Sequence, residues 1–164
     1  MGAPRILLTG GSGFVGIAIL EQFVERHKDW PLTVADVVPL EAEFAKEHSI
    51  DYVKTDVKDK EQCLHAVQVA QPDIIIHAAG RVPGGLHRYG RQGKDDLFEL
   101  NVGGTKNMLN VARACGVPNF IYTSSCTTHT DDLNHQYPNF TEDTPYPEKS
   151  LMYGESKVRA SCLD

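Results

Sequence analysis

Two short patterns near opposite ends of the chain have residue types and spacings that suit redox chemistry with a nucleotide. The first follows a short β-rich run and reads Thr9-Gly10-Gly11-Ser12-Gly13-Phe14-Val15-Gly16. In this spacing the first glycine allows a tight turn, the second lets the backbone approach a pyrophosphate, and the third permits close helix–strand packing. The second pattern is Tyr153 and Lys157, which one face of a helix presents together. A tyrosine is a candidate acid/base for a hydroxyl group, and a neighbouring ammonium favours its phenolate form.

An acidic residue stands at the position where such a nucleotide site needs one. Asp36 lies twenty residues after Gly16 and ends a β-rich run. A carboxylate there accepts hydrogen bonds from ribose hydroxyls and repels a 2′-phosphate. Val37 and Val38 follow, so no neighbouring arginine favours that phosphate. The sequence therefore predicts NAD rather than NADP, bound by Gly10, Gly13, Phe14, Val15, Gly16 and Asp36.

Composition and charge narrow the class of protein. The chain has 164 residues, of which 41% are hydrophobic and 23% are charged, an ordinary globular profile. Its formal net charge of −6 argues against a nucleic-acid partner. No apolar run is long enough to span a membrane, and no signal peptide is recognisable. The four cysteines are widely spaced, so we expect neither a disulfide framework nor a metal site, and we expect a cytoplasmic protein.

Hydrophobic periodicity predicts strands that alternate with helices. The predicted strands cover residues 5–9, 32–36, 51–54, 73–77 and 119–123. The predicted helices cover residues 14–27, 40–47, 60–70 and 95–115, with a last helix from about residue 150. This alternation predicts an α/β fold, a Rossmann-type doubly wound parallel sheet of about five strands, with ligands at the carboxyl ends of the strands. Residues 1–164 are then one NAD(P)-binding domain.

Seven patterns in the right order make the chain resemble the extended short-chain dehydrogenase/reductase superfamily. They are the glycine pattern, Asp36, Asp56-Val57, His77-Ala78-Ala79-Gly80, Asn101-Val102-x-Gly104-Thr105, Tyr122-Thr123-Ser124-Ser125 and Tyr153-x-x-x-Lys157. Within the superfamily, the run at residues 5–16 and the Tyr-Thr-Ser-Ser run most resemble the 3β-hydroxysteroid dehydrogenase/isomerase family, which includes sterol-4-carboxylate 3-dehydrogenases.

The resemblance implies a role for each matching residue. Ser125 would hold the substrate oxygen, Tyr153 would be the catalytic acid/base, and Lys157 would bind the nicotinamide ribose. Further cofactor-binding residues implied by the resemblance are Asp56, Val57, Ala78, Ala79, Gly80, Asn101, Ser124, Tyr153 and Lys157. A hydroxyl group beside the reacting oxygen orients and polarises it, which fits the role implied for Ser125.

The implied function is that of an NAD-dependent oxidoreductase acting on a CH–OH group, as in steroid biosynthesis, with a 3β-hydroxysteroid or sterol-like alcohol as substrate. A nucleotide-sugar epimerase of the same fold remains an alternative, although Thr128-His129-Thr130 stands where epimerases typically have Val-Tyr-Gly. Sugar dehydratases typically have Thr-Asp-Glu after strand five, and Ser125-Cys126-Thr127 therefore disfavours dehydration. The third alternative is an NAD-binding fragment without turnover.

The resemblance also leads to an expectation about the end of the chain. Members of the superfamily normally continue beyond the Tyr/Lys helix with a sixth strand and a C-terminal substrate domain, whereas this sequence ends at Asp164. We therefore expect the sixth strand and the substrate domain to be missing and strand five to be an exposed apolar edge. The expected partners are a small-molecule substrate, sterol-like or a nucleotide sugar, and a second copy of the chain through self-association or a homodimer.

Overall fold

The computed structural model describes residues 2–84, 92–129, 140–148 and 150–163. Contacts within the chain divide it into two compact units. The first unit comprises Met1–Gly80 and Gly104–Thr123, and the second comprises Arg81–Gly103 and Ser124–Asp164. The glycine pattern therefore belongs to the first unit, and the Tyr/Lys pair belongs to the second.

The described residues of the first unit form a five-stranded parallel sheet. Its strands are β1 (Ile6–Thr9), β2 (Leu32–Asp36), β3 (Asp51–Lys54), β4 (Ile74–His77) and β5 (Asn119–Tyr122). The helices of the chain are α1 (Phe14–Arg26), α2 (Ala42–Glu47), α3 (Lys60–Ala70), α4 (Lys94–Phe98), α5 (Thr105–Ala114) and α6 (Met152–Ser161). The strand order is β3-β2-β1-β4-β5, with every pair parallel. The predicted Rossmann-type fold is confirmed.

The centre of the sheet is buried on both faces, which explains why its strands read as continuous apolar runs. Ile6 and Leu8 of β1 pack in one core cluster with Leu20 of α1. Side chains alternate between the faces of a strand, so Leu7 and Ile75 point to the opposite side. Both are fully buried there, on the face where α3 and α5 pack against each other.

The turn between β1 and α1 depends on two glycines. Gly10 has φ +71°, a conformation that favours glycine. A Cβ atom on Gly10 would lie 2.6 Å from the backbone nitrogen of Ala79, and a Cβ on Gly16 would lie 2.2 Å from the carbonyl oxygen of Gly10. The end of β1, the start of α1 and the end of β4 therefore approach more closely than any side chain at these positions would allow.

A buried histidine links three elements of the same unit. His77 is fully buried at the end of β4, with Nδ1 2.6 Å from Thr9 Oγ1 and Nε2 3.1 Å from Thr105 Oγ1. Thr9 Oγ1 also accepts a hydrogen bond from the Ala79 N–H at 3.3 Å. The imidazole thus fastens β4 to β1 and to the first turn of α5.

Strand β5 forms one edge of the sheet, as predicted. The strand order leaves it paired with β4 alone among the described strands. Ile121 is 52% exposed and lies in register with Ile76 of β4. Its apolar side chain and the unpaired side of the strand make this edge suited to pairing. Self-association through it stays a prediction.

The predicted helix over residues 95–115 is not continuous. The backbone is α-helical over Lys94–Phe98, widens to a π-helix over Glu99–Gly104 and is α-helical again from Thr105. The apolar period does not distinguish a π turn from an α turn, so the sequence gives no sign of the change. At the end of the π segment, Gly104 packs so closely on Val57 that a Cβ would lie 2.6 Å from its Cγ2 atom.

The described part of the second unit is built around α6. This helix packs against α4 and against a 3₁₀ turn over Cys126–His129. The contact between α6 and the 3₁₀ turn requires glycine at position 154, because a Cβ on Gly154 would lie 2.3 Å from the carbonyl oxygen of Thr127. Glu155 joins α6 to α4 through an ion pair with Lys94 at 2.8 Å.

We predict that Gly16→Ala destabilises the protein by about 1–3 kcal/mol, because the added methyl group collides with backbone. Gly103→Ala is the matched control. No described atom lies within 4 Å of a Cβ at Gly103, and replacing a helical glycine by alanine stabilises by about 0.5–1 kcal/mol. Urea denaturation measures both effects, and equal stability of the two variants would contradict the tight contact at Gly16.

Candidate active site

In the first unit, the glycine turn presents the start of α1 as a binding surface for an anion. Gly13 is the N-cap residue, and within the described chain no side chain caps the helix. The first N–H groups of a helix lack partners in the helix and favour negative charge, so a phosphate group suits this position. The Phe14 side chain is 94% exposed, so backbone N–H groups are what this part of the turn offers. Gly10 packs on Ala78 and Ala79, which brings the end of β4 to the same turn.

Asp36 lies beside this turn, at the end of β2. Its Oδ2 accepts a hydrogen bond from the Ser12 N–H at 3.1 Å, and its Oδ1 accepts one from the Val38 N–H at 3.1 Å. Ser12 also donates its hydroxyl proton to the Val38 carbonyl at 2.8 Å. The carboxylate is partly exposed and has acceptor capacity beyond these two bonds. It can therefore accept hydrogen bonds from a pair of hydroxyl groups.

The two residues after β3 that were predicted to bind the cofactor differ in their surroundings. Asp56 is partly exposed and accepts a hydrogen bond from the Lys58 N–H at 3.0 Å. Val57 is 4% exposed, and its carbonyl accepts a hydrogen bond from Asn107 Nδ2 at 3.0 Å. Asp56 thus keeps a carboxylate open to solvent, while the Val57 side chain is part of the packing around Gly104. The contact of both residues with the cofactor stays a prediction.

In the second unit, the structure brings Ser125 and Tyr153 into contact. Ser125 Oγ accepts two hydrogen bonds from Thr127, from its N–H at 3.2 Å and from its hydroxyl at 2.9 Å. The Ser125 hydroxyl in turn hydrogen-bonds the Tyr153 side chain. A hydroxyl that accepts two bonds is polarised and has its own proton left to donate. Thr127, which sequence reasoning did not identify, therefore belongs to the hydrogen-bonded group at Ser125.

Burial dominates the electrostatics of the Tyr/Lys pair. It raises the pKa of Tyr153 above its ordinary value; the hydrogen bond from Ser125 lowers this pKa and the nearby Cys126 raises it further. Lys157 is only 4% exposed, and burial lowers its pKa from 10.5 to about 8. The Lys157 Nζ atom lies 5.9 Å from the centre of the Tyr153 ring. Burial therefore outweighs the stabilisation of the phenolate that was expected from the lysine, and the pKa of Tyr153 lies above its ordinary value.

Asn101 and Ser156 hold the start of α6 in place. Asn101 is 1% exposed and makes two hydrogen bonds with the backbone of Arg81, at 2.9 and 3.1 Å. Its Nδ2 atom also donates to Ser156 Oγ at 3.0 Å, and that hydroxyl donates to the Tyr153 carbonyl at 2.7 Å. The buried Ser156, which lies inside the Tyr-x-x-x-Lys pattern, was not identified from the sequence.

The remaining predicted residue of the second unit lies at the surface. Ser124 is exposed, and its Oγ lies 3.2 Å from Ser161 Oγ. Its contact with the cofactor stays a prediction, as does that of Gly80, which is exposed shortly after β4 in the first unit.

In the part of the chain that the structure describes, no three histidine, cysteine or acidic side chains are arranged to hold a metal ion. None of the described helices is long and apolar enough to cross a bilayer.

The sheet order, the glycine turn and the helix with Tyr153 and Lys157 define an extended short-chain dehydrogenase/reductase. The model of the 3-beta hydroxysteroid dehydrogenase/isomerase family matches residues 7–163, and the chain belongs to that family. The family resemblance predicted from the sequence is confirmed.

Three similar proteins illustrate the relationship. Sterol-4-alpha-carboxylate 3-dehydrogenase, decarboxylating, of Candida albicans is 32% identical over 94% of this chain and 43% of its own length. The UDP-Glc/GlcNAc 4-epimerase of Campylobacter jejuni has a TM-score of 0.82 at 22% identity, over 97% of this chain and 47% of that one. The UDP-glucose 4-epimerase of Brucella ovis, solved in complex with NAD, has a TM-score of 0.79 at 22% identity. This match covers 97% of this chain and 46% of the epimerase chain. The chain thus spans less than half the length of these relatives, and the two epimerases share its fold.

We predict that Lys157→Met stabilises the folded protein, and does so most at pH 8 and below. The pKa of Lys157 is about 8 in the folded protein, whereas its ordinary value is 10.5. Between pH 8 and pH 10.5 the Lys157 amine is therefore protonated to a greater extent in the unfolded state than in the folded state. The wild type therefore gains stability as pH rises through this window, while the variant does not. Urea denaturation of both proteins from pH 6.5 to 9.5 should show the difference in unfolding free energy shrinking above pH 8. A difference independent of pH would contradict the lowered pKa.

Proposed function

We propose that the chain carries the cofactor-binding and proton-transfer residues of an NAD-dependent oxidoreductase that acts on the CH–OH group of a 3β-hydroxysteroid or sterol-like alcohol. The observation that carries this proposal is the hydrogen-bonded set of Ser125, Thr127 and Tyr153 with Lys157 buried on the same helix. A buried lysine is costly for a fold, and ionisable groups with shifted pKa values are characteristic of functional sites.

The residues of the first unit fit the proposed cofactor. The glycine turn leaves no room for side chains and ends at the uncapped start of α1, which suits a pyrophosphate. The partly exposed Asp36 suits a ribose with free hydroxyls, because its negative charge would repel a 2′-phosphate. NAD, when bound, accepts the hydride from the alcohol carbon. The NAD complex of the Brucella ovis epimerase, which shares the fold, is consistent with this assignment.

In the second unit, the proposed proton transfer passes through the Tyr153 oxygen. The raised pKa keeps the phenol protonated at neutral pH, so it suits donation of a proton to a ketone oxygen. Oxidation of the alcohol requires the phenolate, whose fraction rises with pH. A positive charge beside the ring favours that phenolate, and Lys157 supplies one below about pH 8. Ser125, polarised by Thr127, would then hold the substrate oxygen at the phenol.

A steroid or sterol alcohol is supported by family membership and by the Candida albicans relative. The epimerases resemble this chain at 22% identity, which supports the fold and not the reaction. The Ser125-Cys126-Thr127 and Thr128-His129-Thr130 runs differ from the dehydratase and epimerase patterns, so dehydrogenation is the function that the site supports best.

We predict that this chain binds NAD and that NADP binds at least about tenfold more weakly, since the Asp36 carboxylate repels a 2′-phosphate. Asp36→Ala combined with Val37→Arg should reverse the preference. Calorimetric titration with both cofactors measures it. Asp51→Ala is the matched control, because Asp51 pairs with Thr33, well before the carboxyl end of β2, and should leave the preference unchanged. Equal affinity of the wild type for the two cofactors would refute this prediction.

We predict that Tyr153→Phe lowers hydride transfer at least about a hundredfold, in the range that positioned acid/base groups contribute, while NAD affinity and unfolding free energy change little. The measurement is NADH formation with a panel of 3β-hydroxysteroids, 4-carboxysterols and nucleotide sugars. Turnover with steroids that depends on Tyr153 supports the proposed function. Turnover of nucleotide sugars alone would replace it with the epimerase alternative, and undiminished turnover in Tyr153→Phe would place the acid/base elsewhere.

A further inference from the structure

His129 is a buried histidine beside the proposed site that the proposed reaction does not use. It ends the 3₁₀ turn Cys126–His129 and is 8% exposed. Its ring stacks on Phe140 at a centroid distance of 4.7 Å and an angle of 18°, and it lies 5.1 Å from the Tyr146 ring. A side chain held so closely, four residues after Ser125, requires an explanation in terms of its hydrogen bonds.

Both imidazole nitrogens have an oxygen partner. The Nε2 atom lies 3.0 Å from the Thr144 carbonyl oxygen. A carbonyl oxygen only accepts, so Nε2 carries a proton. The Nδ1 atom lies 3.0 Å from Thr128 Oγ1, and the same Oγ1 lies 2.8 Å from the Ser125 carbonyl oxygen. The protonation of Nδ1 is therefore the variable in this network.

The Thr128 hydroxyl has one proton for two acceptors. If Nδ1 is unprotonated, the hydroxyl can donate either to the imidazole or to the Ser125 carbonyl, and one of the two contacts lacks its proton. If Nδ1 is protonated, the imidazolium donates to Oγ1 and the hydroxyl proton goes to the Ser125 carbonyl. Only the imidazolium satisfies all three contacts at the distances observed.

We propose that His129 and Thr128 are a positioning pair for Ser125, in which a proton on His129 Nδ1 directs the Thr128 hydroxyl to the Ser125 carbonyl. Loss of that proton turns the hydroxyl toward the imidazole and leaves the carbonyl held by the Thr128 N–H alone, at 3.2 Å. The Ser125 carbonyl then accepts one hydrogen bond from Thr128 instead of two, while the Thr127 bonds to Ser125 Oγ remain. The functional part of this inference rests on the proposed role of Ser125.

The surroundings of the ring are compatible with a positive charge. Aromatic faces attract cations, and both Phe140 and Tyr146 contact the imidazole. The titratable or charged residues on the turn and on the described segments packed against it are Cys126, Glu142, Asp143, Tyr146, Glu148, Tyr153, Glu155, Lys157 and Arg159. Of these, the three acidic residues of the segment 140–148 are exposed, and Glu155 is ion-paired with Lys94 and Arg159.

Nuclear magnetic resonance on the 164-residue chain tests the link between His129 and Ser125 without requiring enzymatic turnover. The ring nitrogens of His129, assigned with His129→Phe, report protonation, and the carbonyl ¹³C shift of Ser125 reports its hydrogen bond. We expect both signals to titrate with one midpoint in the wild type. In Thr128→Val, which removes the hydroxyl at nearly constant shape, His129 should still titrate while the Ser125 carbonyl no longer follows. Thr128→Ser keeps the hydroxyl and should restore the coupling.

A second experiment measures steady-state kinetics with a substrate whose turnover is lost in Tyr153→Phe. We expect Thr128→Val and His129→Phe to lower kcat by about 3- to 30-fold with little change in KM, because a displaced Ser125 misplaces the reacting oxygen. Both variants should also lose the inflection of the kcat–pH profile at the midpoint that the resonances give, whereas Thr128→Ser should keep it.

Two results overturn the inference. The first is a His129 that remains in one protonation state from pH 5 to 9, or a Ser125 carbonyl that ignores its titration. The second is an unchanged kcat and pH profile in Thr128→Val while Tyr153-dependent turnover is present. Absence of any Tyr153-dependent turnover in the wild type would instead count against the proposed function, and the resonance experiment then decides the coupling by itself.

Discussion

The contact between backbones at the β1–α1 turn is the constraint on which the first unit depends. Gly10 and Gly16 lack the room for a single methyl group, and this lets the start of α1 lie against the end of β1. Because β1 is the central strand, the same turn reaches the ends of β2 and β4. Asp36 and Ala79 are thereby brought to the uncapped helix terminus. A side chain at Gly10 or Gly16 would separate the elements that form the proposed nucleotide site.

The described part of the second unit is held together around α6 by hydrogen bonds and ion pairs. Its buried polar residues are mutually satisfied: Asn101 reaches Ser156, and Ser156 reaches the Tyr153 carbonyl. Buried polar groups stabilise a fold only when such partners are present, and a partly satisfied network is destabilising. Burial of Lys157 disfavours its charged form and lowers its pKa to about 8.

The family assignment and the structural likeness describe the chain at different levels. The family model covers residues 7–163 and establishes kinship with 3-beta hydroxysteroid dehydrogenases/isomerases. The epimerases, at 22% identity, establish that the same Rossmann-type scaffold carries other reactions in related enzymes. The run after β5 is where the sequence of this chain departs from the sugar-enzyme patterns.

The sequence by itself determined the order of strands and helices, the glycine turn and the position of Asp36. These features depend on local properties, namely the apolar period, the conformational freedom of glycine and the length of each element. The tertiary structure decided the π-helical turn at Glu99–Gly104, the Thr127 bonds to Ser125 and the burial of Lys157. Those features depend on which groups are packed together and on how much water remains around them, and a linear pattern of residue types records neither.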